Sequence, residues 1–234
     1  MKRSSEPEMI DFPGHPRELL EDDLKNLRRL NRYVGGYRSV ERGLERLVQQ
    51  RKLACLSLLD VGTGSADIPA RIVRWVKANR IRVKIIALEF EPITAAIAAR
   101  RTRHLAEISI VRGDAAAPPF PSASFDCVLA SQFLHHFPDE KIISLLRTWS
   151  QLARRTIIVS DLVRHPVAYY GAQVLTRLFT TNVMTRTDAP WSVRRALTLV
   201  EWRALFSRAA IGEFDIAAIF PFRMVGRFVL AGGR

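Results

Sequence analysis

From residue 53 onward the chain alternates short runs rich in Val, Ile and Leu with amphipathic stretches at helical spacing, a pattern that few folds accept. "LACLSLLDV", "VKIIALEF", "ISIVRGD", "FDCVLASQFL" and "TIIVSDLV" read as strands. "DIPARIVRWVKAN", "PITAAIAARRTRH" and "DEKIISLLRTWSQLARR" read as the helices between them. Strands covered on both faces lose the inside–outside alternation of a half-wet sheet. Runs this continuous therefore predict a mostly parallel sheet with helices on both sides. The closing "FDIAAIFPFRMVGRFVLAGG" holds two β runs joined too closely for a parallel crossover, so the last of seven strands is expected to be antiparallel.

The fold class that follows is α/β, a Rossmann-like doubly wound sheet with two additions. Residues 16–50 read as two helices, with Leu20, Leu24, Leu27 and Leu30 on one and Val40, Leu44, Leu47 and Val48 on the other, hinged at Gly35-Gly36. Residues 166–197 interrupt the strand–helix rhythm without a strand signal and are read as a lid insertion. Thr198 and Glu201 then make a capping box ahead of "LVEWRALFSRAA". The expected organisation is a helical cap over 1–52 and one domain over 53–234.

Composition narrows the class. Hydrophobic residues make up 48% of 234, enough for a full core. Cys55 and Cys127 sit in apolar runs without a C-x-x-C partner, so both are expected to be buried free thiols, and no metal site is expected. No apolar run is long enough to span a bilayer, and the start carries acids where a signal peptide would be apolar, so a soluble cytoplasmic protein is expected. The net charge of +13 raises the question of a polyanionic partner. Its basic residues are spread over helix faces and turns rather than gathered with aromatics, so a solvated surface is the expected reading.

The turn in "LSLLDVGTGSADIPA" gives the sharpest functional signal. Gly62 and Gly64 follow the first strand, where an α/β sheet takes its ligand at the carboxyl edge. A dinucleotide fingerprint would place a third glycine where Asp67 stands, and Asp60 precedes the first. Carboxylates at the mouth of a helix repel a pyrophosphate and suit a ligand carrying an ammonium and a sulfonium. Asp67 can also be read as a plain helix N-cap. Glu89 ends the second strand, where an acid accepts ribose hydroxyls, and Asp114 ends the third, within reach of an adenine amino group.

Taken together, "LLDVGTGSAD", "ALEFEP" and "RGDAAAPPFPSASFDCVLASQFLHHF" resemble the motifs of class I S-adenosylmethionine-dependent methyltransferases, in particular the ubiquinone/menaquinone-biosynthesis branch. The resemblance covers residues 53–164. "LNRYVGGYR" and "TRTDAPWSVRRA" resemble flanking elements of members that act on phenolic or quinone-like compounds. It implies S-adenosyl-L-methionine as cofactor, its methionine part held by Asp60, Gly62, Thr63 and Gly64, its ribose by Glu89, and its adenine by Asp114 and Ala115. Phe90 and Ser131 are placed beside them as further cofactor residues. The chain departs from the pattern at Ala66, where a third glycine is common, and in carrying Glu rather than Asp at 89.

The expected reaction is O- or C-methylation of a small phenolic, quinol or polyketide-like acceptor in secondary or quinone metabolism. "SQFLHH" lacks the Asn/Asp-Pro-Pro-aromatic run of base amino-methyltransferases, and Cys127 lies inside a strand rather than after a Pro. Nucleic acid is therefore not the expected partner. An RNA methyltransferase, motivated by the charge, and a catalytically silent cofactor-binding relative stay as alternatives. His135 and His136 are the candidate bases. Tyr33, Tyr37, Arg38, Tyr170 and Trp191 are the candidate acceptor and lid residues, with Tyr169, Phe179 and Met184 in the same lining; Arg194 and Arg195 are expected to face solvent. A weak association with a membrane surface is a further expectation.

Overall fold

The computed structural model describes residues 1–51 and 53–230. Among these residues seven strands form one sheet: β1 (Cys55–Val61), β2 (Arg82–Glu89), β3 (Ile108–Arg112), β4 (Phe125–Ser131), β5 (Ala153–Leu162), β6 (Glu213–Ile219) and β7 (Arg223–Val229). Their order is β3-β2-β1-β4-β5-β7-β6. The first five pair in parallel, and β7 runs antiparallel between β5 and β6. The expected fold class is the one observed, including the reversed last strand. Residues 231–233, the end of that β run in the sequence reading, lie outside the described residues.

Among the described residues eight α-helices accompany the sheet: α1 (Arg17–Tyr33), α2 (Gly36–Arg51), α3 (Asp67–Ala78), α4 (Pro92–Thr102), α5 (Asp139–Leu152), α6 (Pro166–Phe179), α7 (Val183–Arg195) and α8 (Leu199–Ala209). Local chemistry sets their starts. Glu91 accepts from Thr94 N ahead of α4, Asn182 accepts from Thr185 N ahead of α7, and the Thr198–Glu201 capping box opens α8. One face of the sheet packs Leu59, Val128, Val159 and Phe228 against Leu146 and Trp149 of α5 and Trp202 and Phe206 of α8. The other packs Leu58, Leu129 and Ile158 against α3 and against Val40, Leu44 and Leu47 of α2. The two long helices of the segment read as a cap over 1–52 divide between two tasks. α2 belongs to the core of the sheet, whereas Leu20 and Leu24 of α1 pack with Ile97 of α4 and Met184 of α7. Cys127 is buried as expected, but Cys55 is exposed, because it opens β1 before the strand enters the core.

Candidate active site

The carboxyl ends of β1 to β4 open into one cavity of about 750 Å³. It is lined by all nine residues read as cofactor contacts, Asp60, Gly62, Thr63, Gly64, Glu89, Phe90, Asp114, Ala115 and Ser131, and by His135 and His136. The first turn is tied to the second strand, since Gly62 N and Thr63 N both donate to Leu88 O at 3.0 and 3.1 Å. Gly62 has φ +66°, and a Cβ there would stand 2.3 Å from the Phe133 ring, so no side chain fits. Asp60 is buried beneath the turn and accepts from Thr63 Oγ1 at 2.6 Å. Burial, with Asp67 and Glu89 nearby, pushes its pKa up to about 7 against the pull of that hydrogen bond. Glu89 accepts from Gly64 N at 2.9 Å, Phe90 N at 3.0 Å and Glu91 N at 3.1 Å; burial still raises its carboxyl. Asp114 is exposed at the far end and accepts from Ala116 N at 2.8 Å.

Asp67 is not the N-cap of its helix. The N-cap of α3 is Ala66, held in the left-handed region at φ 54° and ψ 33°, and Asp67 is already helical. Its carboxylate accepts from Asn31 Nδ2 at 3.0 Å, while Asn31 Oδ1 takes a hydrogen bond from Gln132 Nε2 at 2.5 Å. This bridge fastens α1 to the glycine turn and to the end of β4.

Across the cavity stands a polar cluster that the sequence reading found only in part. His135 Nδ1 lies 2.7 Å from Asp161 Oδ1, both buried. A ring nitrogen bonded to a carboxylate carries the proton, so in the neutral ring the lone pair is on Nε2. Burial alone would raise Asp161, but His135, the hydrogen bond from Leu162 N and the nearby His136 together hold the carboxyl below its ordinary range. His135 Nε2 is buried without a hydrogen-bond partner, as is Glu8 Oε1, 3.7 Å away. Burial lifts Glu8 to about 7. His136 Nδ1 lies 2.8 Å from Asp11 Oδ1; burial would raise Asp11, yet His136 brings it below its usual value. Glu8, His135 and His136 offer donor atoms within 4.8 Å of one another, so these groups can grip a polar substrate atom or a cation.

Glu8 and Asp11 arrive on an N-terminal strap. Arg3 donates to Phe137 O and Arg195 O, each at 2.8 Å, and Ser4 N donates to Arg194 O at 3.1 Å. Met9 N and Ile10 N donate to the Asp188 carboxylate at 2.8 and 3.0 Å, and Ser192 Oγ donates to Glu8 Oε2 at 2.7 Å. Arg195 is buried rather than solvent-facing, donating to Asp11 Oδ2 at 2.6 Å and to His136 O, because the strap's acids fold over it. Arg194 instead lies over the Trp191 ring.

The expected acceptor and lid residues are elsewhere. Tyr33 and Tyr170 are 74% and 63% exposed, Arg38 is exposed, and Tyr37 lies beneath the Arg71 guanidinium. Trp191 is under Arg194, Phe179 is exposed, and Met184 is packed among leucines; none of these, nor Tyr169, lines the cavity. The reason is helix phase. α1 turns Asp23, Leu24, Leu27 and Asn31 inward, and α7 turns Thr185, Asp188, Ala189, Ser192 and Arg195, so the aromatics fall on other faces. The missed acids left a faint trace, Glu8 and Asp11 three apart in the strap.

Comparison with known proteins fits this geometry. Residues 58–156 match the model of a methyltransferase domain. Among curated proteins no sequence matches the chain. Solved structures share the fold at low identity. A SAM-dependent methyltransferase from Aquifex aeolicus is 12% identical, with TM-score 0.64 over 93% of this chain and 100% of that one. Magnesium protoporphyrin IX methyltransferase from Synechocystis, solved with bound SAH, is 16% identical, with TM-score 0.59 over 95% and 91%. Human N-acetylserotonin methyltransferase, solved with SAM, is 18% identical, with TM-score 0.64 over 91% of this chain and 56% of that one.

Proposed function

We propose that this chain, with its methyltransferase domain over residues 58–156, transfers a methyl group from S-adenosylmethionine to a hydroxyl or activated carbon of a small, largely apolar acceptor. The observation that carries the reading is one cavity with the acid–glycine edge on one wall and the Asp161-oriented His135, its Nε2 unengaged, on the other. The residues fit the cofactor. A buried carboxylate under a glycine turn, with Glu89 beside it, is a poor neighbour for phosphate and a good one for an ammonium group. Asp60 and the turn would hold the methionine part, Glu89 the ribose, and Asp114 with Ala115 the adenine; Ser131 Oγ, buried without a partner, is a spare donor on the same wall. When bound, the cofactor supplies a methyl group made electrophilic by its sulfonium.

The chain's own task is to exclude water, orient the acceptor and manage one proton. An acceptor hydroxyl between Glu8 Oε1 and His135 Nε2 gives up its proton to Nε2, while Asp161 holds the ring and stabilises the imidazolium. Ile10, Leu27, Phe133 and Phe137 provide an apolar lining that suits a phenol or quinol. An RNA acceptor would bring phosphates towards a wall holding Glu8, Asp11, Asp60, Glu89 and Asp188, so the small-molecule reading is preferred. Calorimetry with S-adenosylmethionine and its demethylated product, followed by turnover on a phenol and quinol panel, tests it. His135→Gln is expected to bind cofactor normally and lose about 10²–10⁴-fold in turnover. Absence of cofactor binding by the wild type would sink the proposal, and cofactor binding with no turnover on any acceptor would favour a silent relative. Activity lost to a chelator and restored by a divalent cation would move the cluster's role from base to metal ligand.

A further inference from the structure

α6 is amphipathic in the wrong sense for a soluble protein. Its one fully buried residue is Thr176, which bonds back to Ala172 O, while Val167 (61%), Tyr170, Val174 (57%), Leu175, Leu178 (71%) and Phe179 are turned to solvent. Residues 167, 170, 174 and 178 follow the i, i+3, i+7, i+11 spacing of a single stripe. Val183, at the start of α7, is also exposed. Isolated exposed apolar side chains are ordinary, but a continuous stripe on one helix marks a contact surface.

The charge around this stripe identifies the occupant. Residues 162–187 contain three arginines and no acid. Arg164 is turned inward to Glu201, but Arg177 and Arg186 flank the stripe's tip, where with Arg29 they border a shallow hollow that also holds Leu178 and Phe179. The acid in that hollow, Asp22, accepts a hydrogen bond from Asn182 Nδ2. The chain as a whole carries +13. Apolar side chains rimmed by guanidinium groups match the layers of a lipid interface, with acyl chains below and anionic headgroups above.

We propose that α6 docks this protein onto the surface of an anionic lipid bilayer, with the Val167–Phe179 stripe inserted shallowly and Arg177, Arg186 and Arg29 against the headgroups. Among the described residues no helix is long and apolar enough to cross a membrane, so the contact is peripheral and reversible. α6 packs on α7, and α7 lines the catalytic cavity through Thr185, Asp188 and Ser192, so one helical layer separates the docking face from the cavity. The surface stands independently of the reaction assigned to that cavity.

Vesicle sedimentation of the full chain tests the proposal. The wild type is expected to sediment with phosphatidylcholine vesicles containing phosphatidylglycerol at low salt, and far less with pure phosphatidylcholine or at high salt. Leu178→Glu should weaken partitioning about tenfold or more, and Arg177→Gln about fivefold. Both sites are exposed, so folding and cofactor titration should match the wild type and separate a lost surface from a damaged protein. Failure of the wild type to sediment with anionic vesicles would overturn the proposal, as would unchanged sedimentation of Leu178→Glu. A dimer that Leu178→Glu dissociates, without vesicle binding, would give the stripe to a second copy of the chain and equally overturn it.

Discussion

Asp60 shows how much one side chain can decide. It is a carboxyl in a sealed place, lifted to about 7 mainly by burial, so near pH 6 the ligand-free site holds it protonated. A cationic ligand favours the ionised form. Cofactor binding near pH 6 is therefore expected to release up to about one proton, visible as a dependence of the calorimetric enthalpy on buffer ionisation heat. Asp60→Asn should abolish that release and weaken binding. Asp60 was legible because a charge ending an apolar strand is anomalous, and Glu89 and Asp114 repeat the anomaly along the same edge. Asp161 and Glu8 were not legible. Asp161 lies inside a strand with nothing beside it in sequence to announce His135, and Glu8 is separated from His135 by more than half the chain. Pairings of that kind are created by packing, and a one-dimensional pattern does not record them.

At the level of elements, the strap stands apart from everything around it. It contributes no strand to the sheet, and it is tied to the body by hydrogen bonds of Arg3, Ser4, Glu8, Met9, Ile10 and Asp11 to α7, to the turn after β4 and to Asp139 of α5, and by packing of Met9 and Ile10 beside Leu20 and Leu24. A chain starting at residue 12 is expected to fold and to keep most of its cofactor affinity, while turnover falls by at least about tenfold through lost enclosure and positioning. Circular dichroism, calorimetry and turnover check the three parts. Equal turnover of the shortened and full chains would show that the strap is only packing. The sheet and its helices could be read from periodicity because burial on both faces writes itself into every residue. The lid could be located but not oriented. α7 turns a polar face into the cavity and α6 turns an apolar face outward, and both invert the rule by which a helix's inner side is recognised.

For the whole molecule, the acids around the cavity govern how stability depends on pH. Glu8, Asp23, Asp60, Glu89 and Asp188 all have raised carboxyl pKa values, chiefly through burial, with Glu8 and Asp60 at about 7 and Asp23 at about 6. A carboxyl raised in the folded state adds stability that is complete below its unfolded pKa and is lost as pH rises through the folded one. Asp11, Asp126, Asp161 and Glu201 are lowered, and their contribution is lost only in acid. The ligand-free protein should therefore melt at progressively lower temperature between about pH 5 and 8, and bound cofactor should offset the loss. A flat melting profile over that range would contradict the arrangement described. The same acids affect how a ligand arrives. Nine acidic side chains line the cavity against one lysine and one arginine, in a chain whose total is +13, so the exterior is more basic than the total suggests. A small cation meets repulsion at long range and attraction only at the mouth. Salt screens the first more than the second. Stopped-flow mixing should accordingly find that moderate salt speeds cofactor association, the opposite of ordinary electrostatic steering, so the basic exterior acts as a barrier that the cofactor crosses before the acids can draw it in.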